Sequence, residues 1–196
     1  KFETAAANLF IVQKKLGKVE RIAFHALREM FDEVAPEFDA MMVDGLAYRA
    51  HLQVREMADR VLPPRGNGWR ILDIGCGPGL VGEAFSDMAR GGRLDGIDLA
   101  PKMIETARAR GIYDGLLLGD LEILLAAPGP KYDLIVSADT MIYLGDLGPT
   151  FRGAFQRLDP GGFTIFACEA KSGEGWEFTA CNRFAHSEAY LRQEAA

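Results

Sequence analysis

The spacing of apolar residues divides the chain into two parts. Up to about residue 62, apolar positions recur at steps of three and four, which is the period of amphipathic helices. Gly17 interrupts the run, and Pro36 ends or kinks it, because proline lacks a backbone donor and clashes with the preceding turn. The recurring positions are Leu9, Val12, Leu16, Val19, Ile22, Ala26, Met30 and Val34.

From Trp69 onward, short apolar runs alternate with helical stretches, and PPRGNG (63–68) predicts a loop before them. Strands that alternate with helices through short loops form a parallel sheet covered on both faces. The predicted fold class is therefore α/β, with a Rossmann-like doubly wound, mostly parallel sheet. The predicted strands are 69–74, 93–98, 115–118, 133–138 and 162–168, and the predicted helices are 80–90, 101–110, 121–126 and 147–158.

The end of the sequence offers little room for further strands. Residues from Glu169 onward predict a polar loop and then a helix that begins near Ser187. FTIFACE would then lie at an exposed apolar sheet edge, where another chain can pair with it. We therefore expect either that the natural chain continues beyond residue 196 or that a partner, such as a second copy in a homo-oligomer, covers this edge.

Composition limits the classes of partner. The 196 residues carry 22 Lys and Arg against 28 Asp and Glu, a net charge of −6, so we expect no nucleic acid and no membrane as partners. No apolar run reaches the length of a membrane span, and the first residues lack the organisation of a signal peptide, which predicts a cytoplasmic protein. Cys76, Cys168 and Cys181 are widely spaced and form no C-x-x-C pair, so the sequence indicates no metal site.

The stretch RILDIGCGPGLVG is a strand that runs into a glycine-rich turn and then a helix. Gly75, Gly77 and Gly79 form a G-x-G-x-G pattern that suits an adenosyl-sulfonium cofactor. Gly77, Gly79 and Gly82 form the G-x-G-x-x-G pattern of a dinucleotide site. Asp73 discriminates between them, because a carboxylate beside the turn would repel a pyrophosphate and attract the ammonium group of a methionine moiety. The structural alternative is a turn that only packs tightly.

Carboxylates also follow the next two strands. Asp98 can accept both hydrogen bonds of a ribose diol, a contact that serves adenosyl and dinucleotide ligands alike. Met103, on the following helix, either flanks an adenine or fills the core. Asp120, in Gly119-Asp120-Leu121, either accepts a hydrogen bond from an adenine amino group or caps the next helix. Leu121 would add a backbone N–H and an apolar wall.

Four residues are candidates for catalysis on the substrate side of a reacting methyl group. Asp139 and Tyr143 follow the fourth strand, with an N-cap and a packed aromatic ring as their structural alternatives. In NRFAHSEAY, His186 and Tyr190 stand four residues apart and would share one helical face, with Arg183 nearby. Histidine titrates near neutral pH and so can serve as a base or a substrate anchor.

Taken together, these stretches resemble the class I S-adenosylmethionine-dependent methyltransferases. The resemblance rests on ILDIGCGPG, GIDLAPKMIETA, LLLGDL, YDLIVSAD and LDPGG, in that order, over residues 69–168. REMFDEVAPEFDAMMVDGLAYRAH resembles the N-terminal cap of a bacterial branch predicted to be methyltransferases, in which tetratricopeptide-like helices precede the catalytic fold. Residues 5–30 would be a remnant of those helices, and NRFAHSEAY resembles the segment of that branch after the fifth strand.

The resemblance implies S-adenosylmethionine as cofactor, S-adenosylhomocysteine as product, and a site that holds them. Residues 1–62 would form a helical extension and cap, and residues 63–196 the methyltransferase domain, without the terminal strand hairpin that is usual in the family. In the implied site, the turn after Asp73 holds the methionine part, Asp98 the ribose and Asp120 the adenine. The cap residues Tyr48 and Arg49 would close over the cofactor and meet its carboxylate. The implied cofactor-binding residues are Tyr48, Arg49, Asp73, Gly75, Cys76, Gly77, Gly79, Asp98, Leu99, Met103, Gly119, Asp120, Leu121 and Ala138.

The predicted function is methyl transfer by in-line displacement at the sulfonium methyl. The predicted acceptor is a small molecule, and a protein side chain is the other acceptor class. Because the methyl carbon is already electrophilic, alignment supplies much of the acceleration, and a base is needed only for an acceptor protonated at pH 7. Two alternatives stay open. One is an oxidoreductase that binds NAD or FAD on the Gly77–Gly82 pattern, and the other is a non-catalytic, cofactor-binding regulator or scaffold.

Overall fold

The structure is a computed structural model that describes residues 21–196, so the predicted helical positions before Arg21 lie outside the described residues. Helical structure follows where the spacing predicts it. Pro36 lies in a 3-10 turn and changes the type of helix without ending the helical path, because proline fits the first turn of a helix. The segments are α1 Phe24–Val34, the 3-10 turn Ala35–Glu37, a π-helical segment Ala40–Gly45 and α2 Ala50–Val61.

Five parallel strands form the central sheet, in the order β3-β2-β1-β4-β5, which confirms the predicted doubly wound α/β fold. The order of the strands reverses between β1 and β4, and sheets of this kind bind ligands at such a switch point. The strands are β1 Arg70–Ile74, β2 Arg93–Asp98, β3 Gly115–Leu118, β4 Tyr132–Ser137 and β5 Leu158–Phe166. The connecting helices are α3 Leu80–Ala89, α4 Pro101–Arg110, α5 Leu121–Ala126 and α6 Gly148–Arg157.

Strand β5 begins earlier than predicted. Leu158 already pairs with Tyr132, and the register then shifts before Leu134 pairs with Phe163. The Pro-Gly-Gly sequence therefore lies within the strand as an irregularity and not in a turn before it. β5 is an edge strand of the central sheet, as predicted.

Residues 169–187 form a second, small sheet, so the predicted polar loop is wrong. Its order is β6-β8-β7, with β8 parallel to β6 and antiparallel to β7. The aromatic ring of Phe184 is fully buried, with the rings of Trp176 and Phe178 at centroid distances of 5.5 and 4.9 Å, and this packing stabilises strands too short to predict from spacing. The last helix begins next to Ser187, as predicted, and the side chain of Ser187 caps it. The elements are β6 Glu169–Lys171, β7 Trp176–Phe178, β8 Phe184–Ser187 and α7 Glu188–Glu194.

Alternate residues of the buried strands face two helical layers. In β1, Ile71 packs in the cluster that contains α2 and α3, whereas Leu72 packs in the cluster that contains α5 and α6. Leu134 and Ile135 of β4 divide in the same way. Helix α2 contributes the fully buried Ala58 to the first cluster, so it shares a core with the sheet. The domain boundary at residue 62 stays a prediction. In the described part of the chain, no helix has the length and apolarity needed to cross a bilayer.

We predict that Gly82→Ala destabilises the protein because α3 approaches Tyr113 closely. A Cβ at Gly82 would lie 2.3 Å from the Tyr113 hydroxyl oxygen. Overpacking of this kind costs about 1–3 kcal/mol of unfolding free energy, against a gain of about 1 kcal/mol in helix propensity. Urea denaturation measures the net loss. Gly45→Ala is the control, since its Cβ would lie 3.6 Å from the nearest atom, and an equal effect of both substitutions would contradict the clash.

Candidate active site

A cavity of about 270 Å³ opens at the carboxyl ends of the central strands. The glycine turn after β1 and the residues that follow β2, β3 and β4 line it, and α1 and the π-helical segment supply an apolar wall. The cavity therefore lies between the sheet and the predicted helical cap. The residues of the apolar wall are Phe24, Leu27, Met30, Phe31, Val34, Phe38, Met41 and Met42.

Most of the predicted site residues line this cavity, and they come from the cap and from four strand ends. They are Tyr48, Gly75, Cys76, Gly77, Asp98, Leu99, Met103, Gly119, Asp120, Leu121, Ala138, Asp139 and Tyr143. The predicted residues outside the lining are Arg49, Asp73, Gly79, His186 and Tyr190. Arg49 precedes α2, and its carbonyl accepts the first hydrogen bonds of that helix.

The glycine turn is hydrogen-bonded to the end of β2. The backbone N–H groups of Gly75 and Cys76 donate to the carbonyl oxygen of Ile97 at 2.8 and 2.9 Å. Gly75 and Gly77 have φ of 71° and 52°, in the left-handed region that favours glycine. Gly79, at φ 105°, is the N-cap position of α3, so it starts the helix and does not face the cavity. The space beside the Gly75 Cα is filled by the Thr140 side chain, whereas the space beside Gly77 is open to a ligand.

Asp73 is fully buried and does not reach the cavity. Strand alternation turns it toward the layer of Ile71, where its Oδ2 accepts a hydrogen bond from the Tyr113 hydroxyl at 2.7 Å. Its Oδ1 has no partner among residues 21–196. Burial raises the pKa of Asp73 to about 7, and the charge of Asp98 adds to the rise, whereas the Tyr113 hydrogen bond lowers it. The structure therefore does not bring this carboxylate to the position where it could contact an ammonium group directly.

The third glycine of the dinucleotide pattern has a packing role. Gly82 leaves room for the Tyr113 ring, whose hydroxyl binds Asp73, and Gly82 does not line the cavity. A side chain at this position would collide with the ring. The G-x-G-x-x-G spacing is therefore explained by Tyr113 and gives no support to a pyrophosphate.

Asp98 lines the cavity and is held in place by two backbone donors. Its Oδ2 accepts from the N–H of Gly77 and its Oδ1 from the N–H of Ala100, both at 2.8 Å. Burial raises the pKa of Asp98, and the backbone hydrogen bonds oppose that rise. Each oxygen retains a lone pair for a ligand hydroxyl. Leu99 and Met103 line the cavity beside it, and Met103 also packs in the core, so both of its predicted roles fit.

Asp120 is both a helix cap and an ion-pair partner. Its Oδ1 accepts from the N–H groups of Glu122 and Ile123 at 2.7 and 3.3 Å, as the N-cap alternative predicts. Its Oδ2 accepts from Arg21 Nη2 at 2.8 Å, and Arg21 also pairs with Glu122 at 2.8 Å. The guanidinium of Arg21 lies 3.6 Å from the ring centroid of Phe24. An adenine amino group would therefore compete with Arg21 for Asp120.

Polar contacts join the cap to the α/β unit around the cavity. Asp32 of α1 accepts a hydrogen bond from the N–H of Lys102 at 2.8 Å, at the start of α4. Asp39, between the 3-10 turn and the π-helical segment, pairs with Arg110 at the end of α4. Arg21 forms an antiparallel bridge with Leu144. Spacing in the sequence gave no signal for these contacts, because each joins residues far apart along the chain.

A second polar group in the cavity contains an acid, two tyrosines and an arginine. Asp139 has φ 54°, a left-handed conformation that is uncommon outside glycine. Burial raises the pKa of the Tyr48 hydroxyl, and the charge of the nearby Asp139 adds to that rise. Burial raises the pKa of Asp139 and of Tyr143, and the charge of Arg183 opposes both shifts. The ring of Tyr143 meets that of Phe31 edge-on, at a centroid distance of 5.5 Å. The cap and the loop after β4 thus meet at this point.

His186 and Tyr190 hold a loop and do not face the cavity. His186 lies in β8 and Tyr190 in α7, so the prediction of one shared helical face is wrong, although their rings stack with centroids 5.9 Å apart. His186 Nε2 lies 3.0 Å from the carbonyl oxygen of Gly145. The Tyr190 hydroxyl donates to Asp146 at 3.0 Å and accepts from the N–H of Leu147 at 2.7 Å. Burial lowers the pKa of His186, which favours the neutral ring.

Comparison with known proteins relates the central part of the chain to methyltransferases. Residues 71–162 match a family model described as a methyltransferase domain. Malonyl-[acyl-carrier protein] O-methyltransferase of Acetivibrio thermocellus is 37% identical over 97 residues, which are 50% of this chain and 34% of that protein. The protein of that name from Serratia marcescens is 29% identical over 85% of this chain and 62% of its own. The solved structure of a DhpI-SAH complex superimposes with a TM-score of 0.65, at 18% identity, over 87% of this chain and 84% of that one.

The family model thus assigns residues 71–162 to the methyltransferase domains, as the sequence motifs predict, and the DhpI structure shares the fold. The matched range contains the glycine turn, Asp98 and Asp120, whereas Tyr48 and Arg183 lie outside it. The chain spans less than two thirds of the length of either curated relative. The tetratricopeptide-like origin of residues 5–30 stays a prediction.

We predict that Asp73→Asn changes how stability depends on pH. The folded protein keeps a proton on Asp73 up to about pH 7, whereas the unfolded chain releases it near pH ~3.9. This group therefore contributes stability at low pH that is lost as the pH rises toward 7. Since asparagine does not titrate, the stability of the variant relative to the natural protein should increase from pH 5 to pH 8 in urea denaturation.

Tyr113→Phe is the matched test of the same linkage. It removes the hydrogen bond that favours the charged carboxylate, so the pKa of Asp73 should rise further and the loss of stability should move to higher pH. A difference between Asp73→Asn and the natural protein that is constant over this pH range would contradict the assignment.

Proposed function

We propose that the protein transfers the methyl group of S-adenosylmethionine to a small-molecule acceptor and releases S-adenosylhomocysteine. The observation that carries the proposal is the carboxylate of Asp98, fixed by the N–H groups of Gly77 and Ala100 at the wall of a cavity at the switch point of the sheet. Both oxygens can accept hydrogen bonds from adjacent hydroxyls, the chemistry of a ribose diol.

The residues around Asp98 fit the rest of the cofactor. Gly77 leaves open space in which the methionine part can approach the backbone, and Leu99 and Met103 offer apolar surface for the adenine. Asp120 can accept the adenine amino group when Arg21 yields its Oδ2. When bound, S-adenosylmethionine supplies an electrophilic methyl carbon, and the chain has to align the acceptor with it.

The second polar group of the cavity supports a role on the acceptor side. Tyr48 and Asp139 line the cavity together, and the raised pKa of Asp139 suits a carboxylate that takes a proton from an acceptor hydroxyl. The apolar wall of α1 lines the same space. We assign no role in the reaction to His186 or Tyr190, because their polar atoms hold the loop 145–147.

Three observations support a small-molecule, oxygen-containing acceptor. The cavity is lined by apolar side chains of the cap, the net charge of −6 disfavours a nucleic acid, and both curated relatives are named as O-methyltransferases. A protein side chain remains the second class of acceptor. An oxidoreductase is not favoured, because Tyr113 accounts for Gly82.

We predict that Asp98→Ala weakens the binding of S-adenosylhomocysteine about ten- to a hundredfold. Hydrogen bonds to a charged group contribute about 1.5–3 kcal/mol, and each 1.4 kcal/mol is about tenfold in affinity. Isothermal titration calorimetry measures the change. Asp114→Ala is the matched control, because the exposed Asp114 also accepts a backbone hydrogen bond, from Leu94 at 2.8 Å, but lies outside the cavity. Unchanged affinity in a folded Asp98→Ala variant would overturn the site.

Two further measurements separate the rival functions. A dinucleotide enzyme would be stabilised against heat by NAD or FAD, whereas we expect stabilisation by S-adenosylhomocysteine alone. A non-catalytic regulator would bind S-adenosylhomocysteine. It would not convert S-adenosylmethionine to S-adenosylhomocysteine when acceptors are supplied. We expect turnover with at least one hydroxyl- or carboxyl-bearing acceptor.

A further inference from the structure

Arg183 is the cavity arginine whose charge is available to a ligand. The other arginine of the lining, Arg21, is paired with Asp120 and Glu122 at 2.8 Å. Within residues 21–196, no salt bridge joins Arg183 to a carboxylate, and its side chain is exposed. A guanidinium that lies beside a ligand cavity and is not held in a salt bridge can bind a negatively charged partner.

The small second sheet fixes the position of Arg183. The residue ends the connection between β7 and β8, where the N–H of Thr179 donates to the Arg183 carbonyl at 2.8 Å. The next residue, Phe184, is fully buried between Trp176 and Phe178. The backbone at Arg183 is therefore anchored on both sides, while the side chain extends to the cavity.

The groups near Arg183 come from three other elements. Tyr48 of the cap and Asp139 after β4 line the cavity together, and Tyr143 lies in the 3-10 turn that follows. Arg183 acts electrostatically on both Asp139 and Tyr143. An anionic group bound here would gain from the guanidinium and from tyrosine hydroxyls, and would be opposed by Asp139 and by Glu169, whose charge also acts on Asp139.

The rest of the lining on the cap side is apolar. Met30, Phe31 and Val34 of α1, and Ile142 and Leu144 beyond β4, offer no charge to a ligand. We propose that the acceptor is an amphiphile, an apolar chain or ring that carries a carboxylate or phosphonate group, and that Arg183 binds that anionic group. The proposal rests on the proposed function, because it names the class of acceptor that the same cavity takes.

Arginine suits this task better than lysine. Its planar guanidinium can donate two parallel hydrogen bonds to the two oxygens of a carboxylate or phosphonate, which fixes the orientation of the ligand as well as its charge. A neutral ligand of the same shape makes no such pair. The acceptor site should therefore distinguish an acid from its amide, even where both fit the apolar wall.

The experiment measures binding of small amphiphiles to the full chain by calorimetry, with S-adenosylhomocysteine at saturation. Octanoate and octylphosphonate are the anionic probes, and octanamide is the neutral probe. We expect octanoate or octylphosphonate to bind about tenfold more tightly than octanamide. The stronger of the two anions identifies the carboxylate or the phosphonate as the group that the site recognises.

Three variants assign the preference to Arg183. Arg183→Gln should reduce the affinity for the anionic probes about tenfold and leave the affinity for octanamide unchanged. Asp139→Asn should increase the affinity for the anions, because it removes one of the opposing charges, and asparagine tolerates the left-handed backbone at this position. Arg60→Gln, an exposed residue of α2 outside the cavity, makes the same change in net charge and should have no effect.

Two results would overturn the proposal: equal binding of octanoate, octylphosphonate and octanamide by the natural protein, or anion binding that Arg183→Gln leaves unchanged. The proposed function fails separately. If the chain binds no S-adenosylhomocysteine, the cofactor assignment falls, while the anion preference can still be measured without it. If the chain binds S-adenosylhomocysteine with no anion preference, only the assignment of the acceptor falls.

Discussion

The structure depends on the hydrogen bonds that join the glycine turn after β1 to the end of β2. The N–H groups of Gly75 and Cys76 bind the Ile97 carbonyl, and the N–H of Gly77 binds Asp98. These bonds hold the turn in left-handed conformations and fix the Asp98 carboxylate at the same time. The candidate ligand site is therefore part of the sheet itself. It is formed by the way in which two neighbouring parallel strands end.

The cap completes this site from the other side. Helix α1 and the π-helical segment supply its apolar wall, and Arg21 bridges from the cap to Asp120. Helix α2 packs into the core with α3 and orients Tyr48 toward Asp139. The small C-terminal sheet brings Arg183 to the same cavity. In the proposed site, the cofactor contacts come from the matched domain, whereas the acceptor side combines the loop after β4 with segments outside that domain.

Sequence patterns predicted the central sheet because buried parallel strands are continuous apolar runs and the turns between them contain glycine or proline. They also predicted the lining residues at the strand ends, such as Asp98 and Asp120. They misplaced Asp73, because a motif gives only the position of a residue along the strand. Leu72 and Ile74 face one helical layer, so Asp73 between them faces the other layer and contacts Tyr113. Strands of three or four residues, and long-range pairs such as that of Arg21 with Asp120, leave no periodic signal.

The central claim is that the Asp98 carboxylate receives the ribose of an adenosyl cofactor. A crystal structure of the full chain with S-adenosylhomocysteine tests it most directly. The account predicts both ribose hydroxyls within hydrogen-bond distance of the Asp98 oxygens, with the sulfur facing Asp139 and Tyr143. A ribose bound elsewhere, with Asp98 contacting only the N–H groups of Gly77 and Ala100, would contradict it.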